Sequence, residues 1–166
     1  MPKAASKSKS AVKKAAAAKP AKKLAPVPPN MSWVSAHLTV RNPETAIAFY
    51  ETAFGFKKGM AMPGPDGKIQ HAEMLYQGNM VMLGPEGPGN PCKAPASLGG
   101  TALTIYVYSD NVNALTERAR KAGAKIEEEP KDQFWGDRTA KFLDPEGHRW
   151  MFATRVSEFD PSKAPH

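Results

Sequence analysis

One order of predicted elements occurs twice along this 166-residue chain: a strand, a helix and then three further strands. The first copy is predicted over residues 33–83 and the second over residues 101–154, with a Gly- and Pro-rich connection at 84–100. Each copy is too small to bury a core alone, so the two must pack together. The sequence therefore predicts an α+β fold in which two βαβββ modules form a paired antiparallel-sheet cleft.

Local signals place the elements of the first copy. Residues 33–40 alternate so that every second side chain is aliphatic, which predicts a strand. Asn42 is a typical helix N-cap with Pro43 at the first helical position, and Gly55 is a typical helix stop. Further strands are predicted at 56–62, 68–76 and 79–83.

The second copy has the same kind of punctuation. A strand is predicted at 101–108, and Asp110 or Asn111 caps a helix that Gly123 ends. Strands follow at 124–128, 139–143 and 148–154. Residues 144–147 read Asp-Pro-Glu-Gly, a tight turn because proline presets φ and glycine permits positive φ.

Residues 1–30 differ in composition from everything that follows. They contain nine Ala, eight Lys, five Pro and no acidic residue, a charge of +8. The other 136 residues hold 15 basic and 16 acidic groups, a charge of −1. A segment of this composition cannot bury enough apolar surface to fold. We therefore predict a disordered basic tail at 1–30, a domain at 31–157 and a C-terminal tail at 158–166.

Two interpretations of the basic tail stay open. It can be a polycation arm that binds DNA or RNA without sequence preference through phosphate contacts, which would associate the protein with the nucleoid. It can also be a solubilising extension, or the result of a start codon upstream of Met31.

The remaining composition bears on the compartment. Cys92 is the single cysteine, so an internal disulfide is excluded and a reducing cytoplasm is expected. No apolar run approaches the ~20 residues of a membrane span, and the N-terminus lacks the apolar region of a signal peptide. We expect a cytoplasmic protein with no membrane partner.

Several motifs resemble those of a known superfamily. Residues 38–40 (LTV) and 48–56 (AFYETAFGF) resemble the first strand and helix of the vicinal-oxygen-chelate superfamily, which includes glyoxalase I, extradiol dioxygenases, and fosfomycin-resistance and bleomycin-binding proteins. Residues 67–74 (GKIQHAEM), 134–138 (FWGDR) and 144–150 (DPEGHRW) resemble its PhnB-like branch more narrowly. The resemblance covers about residues 33–155. It implies paired βαβββ modules, small-molecule binding and a homodimer.

The resemblance also implies where a metal would be held. The four ligand positions of glyoxalase-type members fall on Ser35, near Met82, on Ala102 and on Met151. None of these side chains suits Zn²⁺, Ni²⁺ or Fe²⁺. We therefore expect no cofactor, and a divalent metal is disfavoured. The leading hypothesis is a metal-free binding or sequestering protein of the bleomycin-resistance kind.

Other polar residues support an alternative, a lyase or isomerase of the same superfamily. His37 shares a strand face with Ser35, and Glu73 shares one with His71, so both can point into the cleft. Glu73 or His37 would then act as an acid, a base or a metal ligand. The simpler interpretation is that these histidines are hydrogen-bonded pocket or surface groups and that His148 anchors the turn at 144–147.

A ligand site is expected in the cleft between the modules. His37, Glu73 and Tyr106 would form its floor, and Phe134, Trp135 and Arg138 its rim. A flat aromatic beside a guanidinium can stack on a planar small molecule and pair with an anion. The alternative is that residues 134–138 are a structural loop plug.

The basic tail leads to a first prediction. The full chain should bind duplex DNA weakly and without sequence preference, whereas a protein starting at Met31 should not. If all eight lysines contact phosphates, the slope of log affinity against log salt is about −7. A full-length variant with the tail lysines changed to glutamine is the matched control. Equal affinity for both lengths, or affinity that ignores salt, would contradict the prediction.

The ligand positions lead to a second prediction. Elemental analysis of protein purified without chelator should find no stoichiometric Zn, Ni, Mn or Fe, because four unsuitable side chains occupy the usual metal positions. Finding about one such ion per chain, lost in His37→Ala or Glu73→Ala, would instead favour the enzyme hypothesis.

Overall fold

The computed structural model describes residues 24–28 and 31–164, and it confirms the two-module architecture. Most of the predicted basic tail lies outside these residues. Module 1 contains β1 (His37–Val40), α1 (Pro43–Phe49) continued by a π-helical turn (Tyr50–Phe54), β2 (Lys57–Pro63), β3 (Ile69–Tyr76) and β4 (Asn79–Pro85). A short helix α2 (Pro95–Leu98) lies in the connection. Module 2 contains β5 (Thr104–Tyr108), α3 (Val112–Lys121), β6 (Lys125–Asp132), β7 (Asp137–Leu143) and β8 (Arg149–Arg155).

Each module forms one four-stranded sheet. Sheet 1 has the order β1-β4-β3-β2 and sheet 2 the order β5-β8-β7-β6. The β1–β4 and β5–β8 pairs are parallel and the other pairs are antiparallel. Both sheets are therefore mixed, whereas the prediction named only antiparallel sheets. The parallel pairs follow from the helix after the first strand of each module. A helix connection carries the chain away from that strand, and the strand that finally pairs with it is the last of the module, after two further strands.

The helices of both modules share one core with the inner faces of both sheets. Phe54, at the end of the first helix, packs against Phe142, Trp150 and Phe152 of sheet 2, with ring centroids 4.8–5.9 Å apart. Arg118 of α3 donates from Nε to the Ala53 carbonyl oxygen at 3.1 Å. Because the inner faces are used in this way, the other face of each sheet points away from the core. We call it the open face.

The turn between β7 and β8 joins the modules through a buried carboxylate, Asp144, which is 4% exposed. Its Oδ2 accepts hydrogen bonds from the Tyr50 hydroxyl at 2.8 Å and the Trp150 indole at 2.9 Å. Its Oδ1 accepts the amides of Glu146 and His148, both at 2.9 Å. One side chain therefore holds its own turn, its own module and the helix of the other module.

Several element boundaries differ from the predictions. The first strand begins at His37 and not at residue 33, and the preceding Trp33 and Val34 side chains are more than 80% exposed. The strand predicted at 124–128 extends to Asp132, past Pro130, which an edge strand tolerates because one side of its backbone has no partner. The connection at 84–100 contains α2, which was predicted as loop. Asn42 and Asn111 cap their helices as predicted, each accepting a backbone amide.

The C-terminal segment is partly ordered on the domain. Val156 and Ser157 donate their amides to the Gly136 carbonyl oxygen at 2.9 and 3.0 Å, and the Phe159 ring lies 6.4 Å from that of Phe134. No helix in the described part of the chain is long and apolar enough to cross a membrane.

The Asp144 contacts lead to a third prediction. Asp144→Ala should lower the free energy of unfolding by about 3 kcal/mol or more, because it leaves the buried Tyr50 and Trp150 donors unsatisfied. Chemical denaturation followed by tryptophan fluorescence measures the change. Asp66→Ala is the control, since Asp66 accepts only the Lys68 amide in an exposed loop. Equal decreases in the free energy of unfolding for the two variants would contradict the stabilising role of Asp144.

Candidate functional site

The open face of sheet 1 carries the two polar residues singled out in the sequence. Strand register places His37, Met82 and Glu73 side by side on β1, β4 and β3. The next residue along this face of β3 is His71, whose neighbour on β2 is Met62. The centre of the face is therefore methionine flanked by imidazole and carboxylate.

Strand register identifies which residues stand beside Met82 and Met151. The resemblance put ligand positions on Ser35 and near Met82, and the β1 residue that pairs with Met82 is His37. In module 2 the equivalent neighbour of Met151 is Tyr106 and not Ala102. Only the pairing of distant strands identifies these two neighbours.

His37 and His71 meet across the face, with ring centroids 6.0 Å apart and planes 26° from parallel. Gly84 makes room for them, because a Cβ there would lie 3.4 Å from His37 Cε1 and 3.0 Å from the Gln70 carbonyl oxygen. Neither ring forms a hydrogen bond within the described residues. The pair is therefore free to contact a ligand.

Glu73 lies beside a second glycine. A Cβ at Gly59 would stand 3.2 Å from the Glu73 Cβ and 3.5 Å from its Oε2, so the absent side chain leaves the carboxylate accessible. Among the described residues Glu73 takes part in no ion pair. It can serve as a counter-ion or as a proton acceptor.

The open face of sheet 2 repeats the row with different chemistry. Tyr106, Met151 and Lys141 are neighbours on β5, β8 and β7. Lys141 is paired with Glu128 at 2.6 Å, and Arg149 with Glu127 at 2.7 Å. A shallow cavity of about 520 Å³ lies over this row. Its charged side chains largely neutralise one another, which leaves tyrosine and methionine as the contact surface.

An aromatic cluster adjoins this row and is centred on Asp137, which is 4% exposed. Asp137 Oδ2 accepts from the Tyr106 hydroxyl at 2.8 Å, the Tyr108 hydroxyl at 3.0 Å and the Trp135 indole at 3.1 Å. Burial, followed by the hydrogen bond to Asp137, raises the pKa of Tyr106. The hydrogen bond to Asp137 is the main cause that raises the pKa of Tyr108. Both phenols therefore stay protonated and remain donors at neutral pH. The site expected from the sequence contained Tyr106 but neither Tyr108 nor Asp137, although both belong to motifs or strands that had been singled out.

The structure does not bring Arg138 to this cluster. Arg138 follows Asp137 on β7, so its side chain leaves the opposite face of the sheet. Its Nε donates to Asn113 Oδ1 at 2.9 Å, and its Nη1 pairs with Asp132 at 2.7 Å. Phe134 packs edge-on against Trp135, with ring centroids 5.0 Å apart, and stays 39% exposed. Of the three residues expected at the rim, Phe134 and Trp135 therefore lie beside this cluster and Arg138 does not.

One chain does not assemble the expected site by itself. His37 and Glu73 lie on the open face of sheet 1, whereas Tyr106 lies on sheet 2 and Trp135 in the β6–β7 turn of that sheet. A cavity of about 840 Å³ beside His37 shares no wall residue with the cavities beside Tyr106. The described residues contain no group of three or more His, Cys, Asp or Glu side chains placed to hold a metal ion. Whether the protein carries a metal stays a prediction for elemental analysis.

Comparisons with known proteins agree with this architecture. The model of the Glyoxalase/Bleomycin resistance protein/Dioxygenase superfamily matches residues 31–152. An uncharacterized protein of Mycobacterium bovis is 41% identical over 128 residues, which are 75% of this chain and 84% of the relative. TioX from Micromonospora sp. ML1 is 29% identical, with a TM-score of 0.61 over 75% of this chain and 99% of TioX. TnmS3, an antibiotic binding protein from Streptomyces sp. CB03234, shares the fold at 23% identity, with a TM-score of 0.53 over 74% of this chain and 96% of TnmS3. The chain belongs to the glyoxalase/bleomycin resistance protein/dioxygenase superfamily.

Proposed function

We propose that this protein is a PhnB-like member of the superfamily that binds a small molecule between two copies of the chain, without the usual metal. The observation that carries the proposal is the pair of open faces. Each presents exposed apolar side chains at its surface: Met60 and Met62 are 51% exposed, Tyr106 42% and Tyr108 58%. Apolar surface of this kind favours a ligand or a second subunit.

The arrangement within one chain favours a homodimer. Both open faces point away from the shared core, so the two open faces of one chain do not face each other. A cleft between them therefore needs sheet 1 of one copy and sheet 2 of a second copy. A twofold axis would form that contact twice and enclose two equivalent clefts. His37 and Glu73 would then lie opposite Tyr106 and Trp135, which unites the residues expected to share a site.

The chemistry of the two faces suits binding more than a defined metal reaction. Met82 and Met151 occupy the centres of the two rows, and methionine adapts its shape to varied ligands. A few directed polar groups, Glu73 and His37 among them, would orient the ligand within a mostly apolar cleft. The similar fold of TnmS3, described as an antibiotic binding protein, supports a sequestering role.

A second candidate, a lyase or isomerase, is favoured by one observation. The stacked His37 and His71 rings lie on the same face as the unpaired Glu73, so a base and a proton relay stand together. Glu73→Gln separates the two functions. In an enzyme it would abolish turnover of a bound substrate while binding persists, whereas in a binding protein no turnover exists to be lost.

Subunit complementation gives a fourth prediction. Glu73→Arg blocks the sheet 1 half of the cleft and Tyr106→Arg the sheet 2 half, so each homodimer should lose binding. After mixing and reassociation, half of the dimers are mixed, and each has one cleft built from two unaltered faces. About a quarter of the wild-type binding capacity should return. Isothermal titration with a hit from a panel of planar aromatic antibiotics measures it.

The control mixes Glu73→Arg with Met82→Arg, two variants altered on the same face. No mixed dimer then contains an intact cleft, so capacity should stay at zero. Sedimentation velocity establishes the dimer independently. A monomer that binds at full capacity, or equal recovery in both mixtures, would contradict a shared cleft.

A further inference from the structure

The aromatic cluster on sheet 2 combines a buried carboxylate with exposed rings. Asp137 is almost fully buried, yet Tyr106 and Tyr108, which donate to it, stay 42% and 58% exposed. Their rings pack edge-on with centroids 5.5 Å apart. Each hydroxyl is tied to Asp137, so the rings are held in place before any ligand arrives, and binding would cost little side-chain entropy.

The neighbouring strand explains how the rings can lie across the sheet. Register places Ala153 of β8 between Tyr108 on β5 and Thr139 on β7. Ala153 belongs to the open face but is fully buried, and Thr139 is only 2% exposed. The two tyrosine side chains extend over Ala153 to reach Asp137, and they cover Ala153. A larger residue at position 153 would lift the rings from the sheet and break the hydrogen bonds.

The cluster is centred on a carboxylate, that of Asp137, which forms no ion pair within the described residues. Its cross-strand neighbour Arg155 is paired with Glu158 instead. The carboxylate therefore polarises three aromatic donors, and Arg155, whose charge reaches Tyr108, is shared with Glu158. Electron density drawn toward the rings strengthens the negative potential of their faces.

We infer that Tyr106, Tyr108 and Trp135 around Asp137 form a recognition site for an organic cation, such as a quaternary or alkylated ammonium group. Cations of this kind are attracted to the faces of tyrosine and tryptophan rings, and they need no hydrogen-bond acceptor. Asp137 adds an opposite charge that the ligand cannot contact directly. The cluster is complete within one chain. Only its position inside a cleft between two copies rests on the proposed function.

Choline and its uncharged isostere dimethylbutanol, in which carbon replaces nitrogen, provide the test on the full-length protein. Binding is followed in an NMR titration through the backbone amide resonances of positions 106, 108 and 136, which are present in the wild type and in every variant. Choline should bind about fivefold more tightly than the isostere, since each cation–π contact at a partly exposed site contributes a factor of about two to five. Asp137→Asn, which keeps the acceptor oxygen and removes the charge, should weaken choline and narrow its advantage over the isostere, whose own affinity should not change.

Matched tryptophan variants localise the effect. Trp135→Leu should weaken choline about two- to fivefold, whereas Trp33→Leu, which removes an 81% exposed tryptophan elsewhere, should not change it. If Asp137→Asn fails to fold, Tyr108→Leu at a mostly exposed position replaces it, with the same expected loss. Equal affinity for choline and the isostere in the wild type would overturn the inference. So would unchanged choline binding in Trp135→Leu and Tyr108→Leu. Neither result bears on subunit complementation, which tests the shared cleft separately.

Discussion

The buried Asp144 carboxylate is the contact on which the relation between the two modules depends. It accepts hydrogen bonds from Tyr50 of module 1, from Trp150 of module 2 and from two amides of its own turn. The same turn adds His148, whose Nε2 lies 2.9 Å from the Thr39 carbonyl oxygen, and Glu146, which pairs with Arg41. A buried charge is stable only when it is bonded in this way. The turn therefore fixes how module 1 sits against module 2.

That packing decides which faces remain for function. The helices and both inner sheet faces form the core, so the two outer faces are left open. A single chain thus separates His37 and Glu73 from Tyr106 and Trp135. A cleft containing all four needs a second copy, and this connects the internal packing of the chain to the proposed dimer.

Two buried aspartates use the same partners for different ends. Asp144 and Asp137 each accept from tyrosine hydroxyl and tryptophan indole groups. Around Asp144 the rings of Tyr50 and Trp150 are at most 2% exposed, so the contact contributes only to stability. Around Asp137 the tyrosine rings face outward, and the same kind of hydrogen bond holds these exposed rings in a fixed orientation. Exposure of the rings, and not the hydrogen-bond chemistry, separates the structural site from the candidate binding site.

The sequence by itself determined the repeated βαβββ order, the asparagine caps at Asn42 and Asn111, and the turn at 144–147, because each depends on local backbone preferences and short-range periodicity. It also singled out Glu73, His37, Tyr106 and Trp135. Only the tertiary structure decided that His37 and not Ser35 neighbours Met82, since strand register depends on pairing with a distant strand. Likewise it placed Arg138 behind the sheet with Asn113 and Asp132, and it assembled Tyr106, Tyr108 and Trp135 around Asp137. Contacts between residues about thirty positions apart are set by packing, and no local pattern in the sequence encodes them.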